Sequence, residues 1–305
     1  MTSGIEWELY RAFLGVLREG SLSGAARALG VAQPTVGRHV AALEGALGLV
    51  LFTRSQAGLL PTEAAHALRP LAEAMEHTAA ALERAASGLR ERVDAATGTI
   101  RISVSEVVGV EVMPAIVADL ARRHPALKIE LVLSNRVHDL LQREADIAVR
   151  MTAPRQEQLV ARRVGAIELG FHAHPDYLAR HGTPATLDDL AAHVLIGYDR
   201  PTPFLREAAK SLQVFSRDRF ALRTDNDAAQ LGLIRAGAGI GVCQVPLAAR
   251  APALVRVLPD AFGFPLDTWV TMHEDLRASA RCRVAFDALV AGLEAYIGAA
   301  PVTGR

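Results

Sequence analysis

The 305-residue chain is predicted to be an α/β protein that opens with an all-α winged helix-turn-helix domain. Three observations predict it. Two short apolar-periodic segments stand side by side in AARALGVAQPTVGRHVAALE (Ala25–Glu44), joined through Gly30 and restarted by Pro34. One long amphipathic stretch follows Thr62. From Thr97 onward strand-like and helix-like segments alternate, the order expected of a parallel sheet covered by helices.

In chain order, Leu9, Phe13, Val16 and Leu17 share one face of a first helix that can cover the pair behind it. Ser23 is expected to cap a second helix from Gly24 or Ala25 to Leu29, since its hydroxyl can accept from amides the helix leaves open. Gly30 supplies the left-handed backbone just past that helix. Pro34 suits the first turn of the third helix, where its missing N–H costs nothing. Val36, Val40 and Leu43 then make a buried stripe, with Pro34, Arg38 and Ala41 opposite it and Thr35 and Gly37 flanking. This is a helix-turn-helix pattern. Leu47–Arg54 and Gly58–Pro61 read as two strands around the exposed turn SQAG, a wing with Arg54 at its base.

Thr62 is placed to cap a long helix in which Leu68, Leu71, Met75, Thr78, Leu82, Ala85 and Leu89 recur in steps of three and four. That spacing is the heptad rule of a two-stranded coiled coil. A lone amphipathic helix can instead pack on its own chain, but no return partner stands nearby in sequence. Self-association through Leu71, Met75, Leu82 and Leu89 is therefore favoured. Glu73, Glu76, Glu83, Arg84, Arg90 and Glu91 are expected on the wet face, and Pro70 is expected to bend the helix. The domain limits are then 1–61 for the winged helix-turn-helix, 62–96 for the linker (dimerisation) helix and 97–305 for the α/β domain.

Within that domain TIRISVS, KIELVLS and ADIAVRM read as strands, and EVMPAIVADLARRH and VHDLLQRE as helices. A second unit runs from about Gly165 to Asp267, with strand ELGFHAH, a helix around Leu187–Ala192 and the run AAQLGLIRAGAGIGVCQV. DTWVTMH adds a strand and Ser279–Ile297 a closing helix. Two α/β units with strands passing between them suit a cleft with a hinge.

Composition narrows the function. Half of the residues are apolar and the formal net charge is zero, so any nucleic-acid surface has to be local. Through Thr62, Arg11, Arg18, Arg27, Arg38 and Arg54 are nearly matched by Glu6, Glu8, Glu19 and Glu44. Lysine occurs only at Lys128 and Lys210, which leaves phosphate contacts to arginine and backbone amides. Cys243 and Cys282 are too few and too far apart for a disulfide framework or zinc knuckle, and buried thiols are expected. No signal-peptide pattern or long apolar run is present, and a cytoplasmic location is expected. GAGIG (Gly237–Gly241) follows a helix and precedes a strand, the reverse of a dinucleotide-binding loop, so no cofactor is expected. His172 and His174 lack acidic or cysteine companions at ligand spacing, so no metal is expected. No GxSxG or HExxH motif supports catalysis, and the chain is not expected to be an enzyme.

The stretch FLGVLREGSLSGAARALGVAQPTVGRHVAALEGALGLVLFTRSQAGLLPT carries Ala25-Ala26, Gln33-Pro34, Leu43-Glu44, Gly48, Leu51-Phe52, Arg54 and Thr62. As a set these resemble the LysR-type transcriptional regulator family, and HPDYLARHGTP and Asn226–Pro246 resemble its effector domain. The resemblance covers nearly the whole chain. It implies a C-terminal fold of two subdomains like periplasmic binding proteins, clasping a small organic metabolite. It also implies double-stranded operator DNA, a homodimer or homotetramer, and RNA polymerase as partners. Two departures stand out: Gly37 replaces a usual serine of the recognition helix, and Ala65 replaces a glycine.

On that helix Gln33 can pair with an adenine edge, Thr35 can touch a thymine methyl, and Arg38 can reach guanine or phosphate. Pro34 and Gly37 keep the leading face low, and Arg54 joins from the wing. The blander alternative is a helix pair in a larger core with a polar outer face. In the cleft, Ser105, Glu106 and Val107 stand where a strand runs into a helix, a junction that favours anions. Glu106 opposes a carboxylate ligand unless Arg136 or Arg150 intervenes, and capping or an arginine pair explains it equally well. Ser134, Arg136, Arg150, Phe204, Asn226 and Gln244 complete the cleft candidates. A DNA-binding regulator without a small-molecule ligand is the alternative reading.

Overall fold

The computed structural model describes residues 4–55, 58–89, 96–135, 145–154, 158–200, 215–250 and 253–298. The expected helix VHDLLQRE and residues Arg90, Glu91, Arg136 and Phe204 lie outside the described residues, as do the side chains of Ala85 and Leu89. Contacts divide the chain into a smaller unit ending at Ala85 and a larger one beginning at Ala86.

The smaller unit opens with α1 (Trp7–Glu19), α2 (Leu22–Leu29) and α3 (Gln33–Leu47). Its core holds Phe13, Leu14, Val16, Ala25, Val36, Val40 and Leu43, so the expected apolar stripes do meet. The cap of α2 is Ser21, not Ser23: Ser21 is extended, just outside the helix, and accepts from the Gly24 amide at 3.1 Å. Ser23 already lies within the first turn and is exposed. Gly30 adopts φ 68°, and the chain turns there into α3.

The wing consists of β1 (Phe52–Ser55) and β2 (Gly58–Pro61), paired antiparallel. Its first strand begins five residues later than expected from Leu47, for two local reasons. Gly48 ends α3 in the left-handed conformation. One Glu44 carboxylate oxygen then accepts from the amides of Leu51 (2.7 Å) and Phe52 (3.2 Å), tying the wing's entry to α3. Arg54 pairs with Leu59, one residue from the turn, so it stands near the tip of the wing and not at its base.

Thr62 caps α4 (Glu63–Leu89), its hydroxyl accepting from Ala65, and the helix runs unbroken through Pro70. Ala65, Leu68 and Ala72 pack into the core of the unit. Of the expected wet-face residues, Glu76 is hydrogen-bonded to Arg18 in a partly exposed pair, and Arg84 is buried.

The larger unit is built on a mixed sheet, not the expected parallel one. β3 (Gly98–Val104) pairs parallel with β4 (Leu127–Leu133) and with β5 (Ile147–Arg150). β6 (Leu159–Ala173) and β11 (Phe264–His273) run antiparallel to each other, and β11 runs antiparallel to β5. A chain that crosses to a second lobe and returns makes such a pair. The upper end of β6 carries β9 (Gly241–Gln244) and β10 (Val255–Val257), and β7 (Ile196–Tyr198) pairs parallel with β8 (Leu222–Thr224). A bulge between Thr268 and Trp269 marks the β6–β11 ladder opposite Gly165, whose φ is 131°.

Helices follow the expected order with changed limits. The helix expected over Glu111–His124 is α6 (Met113–Arg123), and a separate short helix, α5 (Glu106–Glu111), precedes it. Then come α7 (Pro175–His181), a 3-10 turn at Asp188–Ala192 in place of the helix around Leu187, α8 (Asp227–Arg235), α9 (Val245–Ala248) and α10 (Ala280–Gly298). Ile100, Ile102, Val104, Met113, Leu120, Leu289 and Leu293 centre the first lobe's core. Phe171, Tyr177, Phe215, Phe220 and Phe262 centre the second's.

Glu44→Ala would leave the Leu51 and Phe52 amides without their acceptor. The smaller unit is expected to lose about 1–3 kcal/mol, read as faster hydrogen exchange at those two amides. Unchanged exchange would show that the wing is anchored by other contacts.

Candidate nucleic-acid interface and ligand cleft

The exposed face of α3 is shaped by what holds the opposite face down. With Val36, Val40 and Leu43 buried, Gln33, Pro34 and Arg38 are exposed and Thr35 and Gly37 half-exposed. Arg38 donates to the Thr35 hydroxyl at 3.4 Å, which aligns the two side chains along the leading turn. A Cβ at Gly37 would meet only the Leu22 side chain at 3.6 Å, an ordinary contact, so the fold does not demand glycine there.

The near-neutral charge count of this unit conceals a local imbalance. Arg11 is paired with Glu8, and Arg18 with Glu76. The Arg18–Glu76 hydrogen bond raises the arginine further and holds the Glu76 carboxyl below its ordinary range. Arg27, Arg38 and Arg54 have no carboxylate partner among the described residues and stay exposed. Arg27 was not singled out from sequence; its position in the last turn of α2 was the only signal.

On α4, Leu71 is 65% exposed, Met75 41% and Leu82 71%. These fractions decide the question of where the heptad stripe points. At these three positions it does not pack on its own unit, whereas Leu68 at its start joins the core.

In the larger unit the cleft candidates fall into separate groups. Ser105 precedes α5 without capping it, and the Glu106 amide is instead accepted by Asn135 Oδ1 at 3.2 Å. Glu106 Oε2 accepts from Asn226 Nδ2 at 2.9 Å, and Asn135 Nδ2 donates to Asp227 Oδ2 at 3.0 Å. The two lobes are thus stitched by reciprocal amide–carboxylate bonds. Ser134 lies alongside, its amide donating to Val104 O. Asn226 also caps α8 by accepting from Ala229. Val107 faces the apolar core of the first lobe.

Arg150 and Gln244 are directed elsewhere. Arg150 is buried and donates to Val149 O and to Ser103 Oγ (2.7 Å), within the first lobe. Gln244 Oε1 accepts from the Tyr296 hydroxyl of α10 at 2.6 Å. Neither hydrogen-bonds to Glu106. Sequence reasoning missed Asn135, Asp227 and Tyr198, because only the fold brings the ends of β4, β7 and the start of α8 together.

Burial pushes the Glu106 carboxyl above its ordinary range, and the charge of Asp227 pushes it further; the Asp227 amide partly offsets this, and Asp225 adds to the rise. Burial and then the Asp227 charge hold the Tyr198 phenol well above its ordinary value. His172 is pushed down to about 4 by burial, so it is neutral, with Nδ1 against Gly170 O at 2.8 Å. His174 caps α7 by accepting from Asp176. Among the described residues no group of three or more His, Cys, Asp or Glu is placed to hold a metal ion. Burial lifts the Cys243 thiol to about 12, and Cys282 is also buried.

A winged helix-turn-helix, a long helix with an outward apolar stripe and a two-lobed α/β unit with a cleft define a regulator class. Residues 7–66 match the family model for the bacterial regulatory helix-turn-helix protein, lysR family, and residues 93–294 that for the LysR substrate binding domain. The chain belongs to the LysR family of transcriptional regulators, a family of regulators and not of enzymes. It is 31% identical over 181 residues to an HTH-type transcriptional regulator of Xanthomonas campestris pv. campestris, an alignment spanning 59% of this chain but only 52% of that relative. It is 29% identical over 288 residues to the probable HTH-type transcriptional regulator LtrA of Klebsiella pneumoniae, covering 91% of each. The full-length structure of the Vibrio cholerae virulence activator AphB is similar at 26% identity and a TM-score of 0.58, over 94% of this chain and 99% of that one. Among the described residues no helix is long and apolar enough to cross a membrane.

A carboxyl whose pKa rises on folding binds its proton more tightly in the folded state, so it adds stability at low pH and loses it as pH climbs through the raised value. Glu106→Gln keeps an acceptor for Asn226 and removes the charge. It is expected to raise Tm at pH 7 relative to the parent chain, with the advantage fading as pH falls below the ordinary carboxylate range. An equal Tm difference at both extremes would show that the charge is irrelevant.

Proposed function

We propose that the chain is a homo-oligomeric, cytoplasmic transcription factor that binds operator DNA through α3 and the wing. A small organic effector in the cleft changes the arrangement of the subunits. The observation that carries this reading is the exposed Gln33–Arg38 turn of α3, held at the surface by Val36, Val40 and Leu43 beside arginines free of carboxylates. Such a turn suits the major groove: Gln33, Thr35 and Arg38 supply base or phosphate contacts, and Pro34 and Gly37 permit close approach. Arg54, near the wing tip, extends a cation towards the backbone. Leu71, Met75, Leu82 and Leu89 form the seam with a second copy, which makes the DNA site two-fold, and RNA polymerase is the partner downstream.

Ser105, Glu106, Ser134, Arg136, Phe204 and Asn226 remain the proposed effector set, with Glu106, Ser134 and Asn226 nearest the junction of the lobes, while Val107, Arg150 and Gln244 are taken up by contacts within the protein. A regulator without a small-molecule ligand is the second reading. The Asn226–Glu106 and Asn135–Asp227 bonds favour it, because they join the lobes unaided.

Two experiments test the DNA half of this proposal. In titrations on cognate and scrambled duplexes at several salt concentrations, Gln33→Ala is expected to cost about 1–3 kcal/mol on the cognate site and little on random DNA. Arg54→Ala should weaken both and lower the salt slope by roughly one. Equal losses on both duplexes for Gln33→Ala would remove it from base reading. In sedimentation, Leu82→Glu should shift the chain to smaller species, since a charge would be buried unpaired in the seam. An unchanged oligomer would remove α4 as the dimer contact.

A further inference from the structure

α3 holds two glycines inside its 15 residues, Gly37 and Gly45. Glycine weakens a helix interior relative to alanine, because the unfolded chain gains freedom from it. Elsewhere in the smaller unit glycines answer to the fold. Gly20, Gly30, Gly48 and Gly58 adopt positive φ. A Cβ at Gly15 would press on Leu29 and Ala25 at 3.1 and 3.3 Å, and one at Gly24 on Glu19 at 2.8 Å. Gly37 has neither reason: its φ is not positive, and a Cβ would meet only Leu22 Cδ1 at 3.6 Å. Neither backbone nor core requires the missing side chain, which leaves the outer surface.

The gap left at Gly37 is apolar. Gln33 and Pro34 stand one helical turn before it and Ala41 one turn after, all three exposed. Leu22 of α2, half-buried at the edge of the core, floors it. Pro34, Ala41 and Leu22 bring no side-chain hydrogen-bonding group, and backbone amides and carbonyls within a helix are spent on its own ladder. In the major groove the bases show polar edge atoms, and the thymine C5 methyl is the apolar exception. A guanine, adenine or cytosine edge held against this gap would lose water and gain no partner, whereas a methyl group loses nothing. Gly45 differs in place: it lies about 12 Å further along the axis, away from the leading turn that a recognition helix presents to base edges.

We propose that Gly37 is a specificity-determining residue of the α3 interface. The gap at Gly37, floored by Leu22 and flanked by Pro34 and Ala41, takes the 5-methyl group of one thymine in each half-site. This rests on α3 entering the major groove and names the base that it reads there. Gln33 and Arg38 then hydrogen-bond beside a position chosen by shape and apolar contact alone.

The test is a binding titration of the full chain on a duplex that the parent chain selects from a random library. Each thymine of that duplex is replaced in turn by deoxyuridine, which lacks only the methyl. One thymine per half-site is expected to matter, its replacement costing the parent about fourfold for each half-site, the worth of one buried methyl. In Gly37→Ala, whose Cβ fills the gap, the thymine duplex should bind several-fold more weakly and the deoxyuridine replacement should cost nothing further. With a C·G pair at that position, 5-methylcytosine should restore affinity to the parent and not to Gly37→Ala. Gly45→Ala is the control: both alanines should raise Tm by similar amounts, and only Gly37→Ala should alter recognition. Equal deoxyuridine losses in the parent and in Gly37→Ala would move the methyl contact to another residue, such as Thr35, and overturn the proposal. So would a selected duplex in which no thymine responds. If Gln33→Ala loses base preference while Gly37→Ala binds like the parent, the proposal fails and the α3 reading stands. If Gln33→Ala, Arg38→Ala and Gly37→Ala all bind like the parent, the α3 reading fails with it.

Discussion

β6 and β11 hydrogen-bond antiparallel from Leu159↔His273 to Leu169↔Phe264, and the geometry of the larger unit is measured from that ladder. At one end β11 accepts β5 and through it β3 and β4; at the other, β6 accepts β9 and β10. Both lobes therefore share two continuous strands. The bulge at Thr268/Trp269 and the positive φ of Gly165 lie on this shared ladder, where a bent strand can change its twist without losing its pairing. The Ile297 side chain of α10 lies 3.1 Å from where a Cβ on Gly165 would fall, so the closing helix packs against the ladder at this bend.

Electrostatics works by local pairing in both units. In the smaller one, intramolecular ion pairs absorb Arg11 and Arg18, and what is left over is a cationic remainder near α2, α3 and the wing. In the larger one, carboxylates from opposite lobes are brought together and bridged by asparagine amides. An amide bridge satisfies hydrogen bonds without neutralising charge, and the Asp227 charge accordingly still raises the Glu106 carboxyl.

Much of the smaller unit was legible in the residues. Gly30, Pro34 and the stripe Val36, Val40 and Leu43 act through backbone stereochemistry and helical periodicity, which are local properties, and each stands as expected. The failures are also local in kind. Ser21 and Ser23 are equally good caps on chemistry, and only the point at which the chain enters α2 separates them. Arg54 stands near the tip of the wing and not at its base because its register partner is Leu59, one residue from the turn, and Glu44 holds the Leu51 and Phe52 amides at the strand's entry.

The sequence by itself determined the order of elements, the family and the outward face of α3, because each depends on spacing along a few turns of chain. The heptads of α4 were likewise readable, although the exposure of Leu71, Met75 and Leu82 had to be seen before packing of these three on their own unit was ruled out. Only the tertiary structure decided the mixed sheet, the direction of Arg150 and Gln244 away from Glu106, and the meeting of Asn135 with Asp227. Asn135 and Asp227 are 92 residues apart, and hydrogen bonds at such separation follow from how strands register in a sheet, which no local pattern encodes.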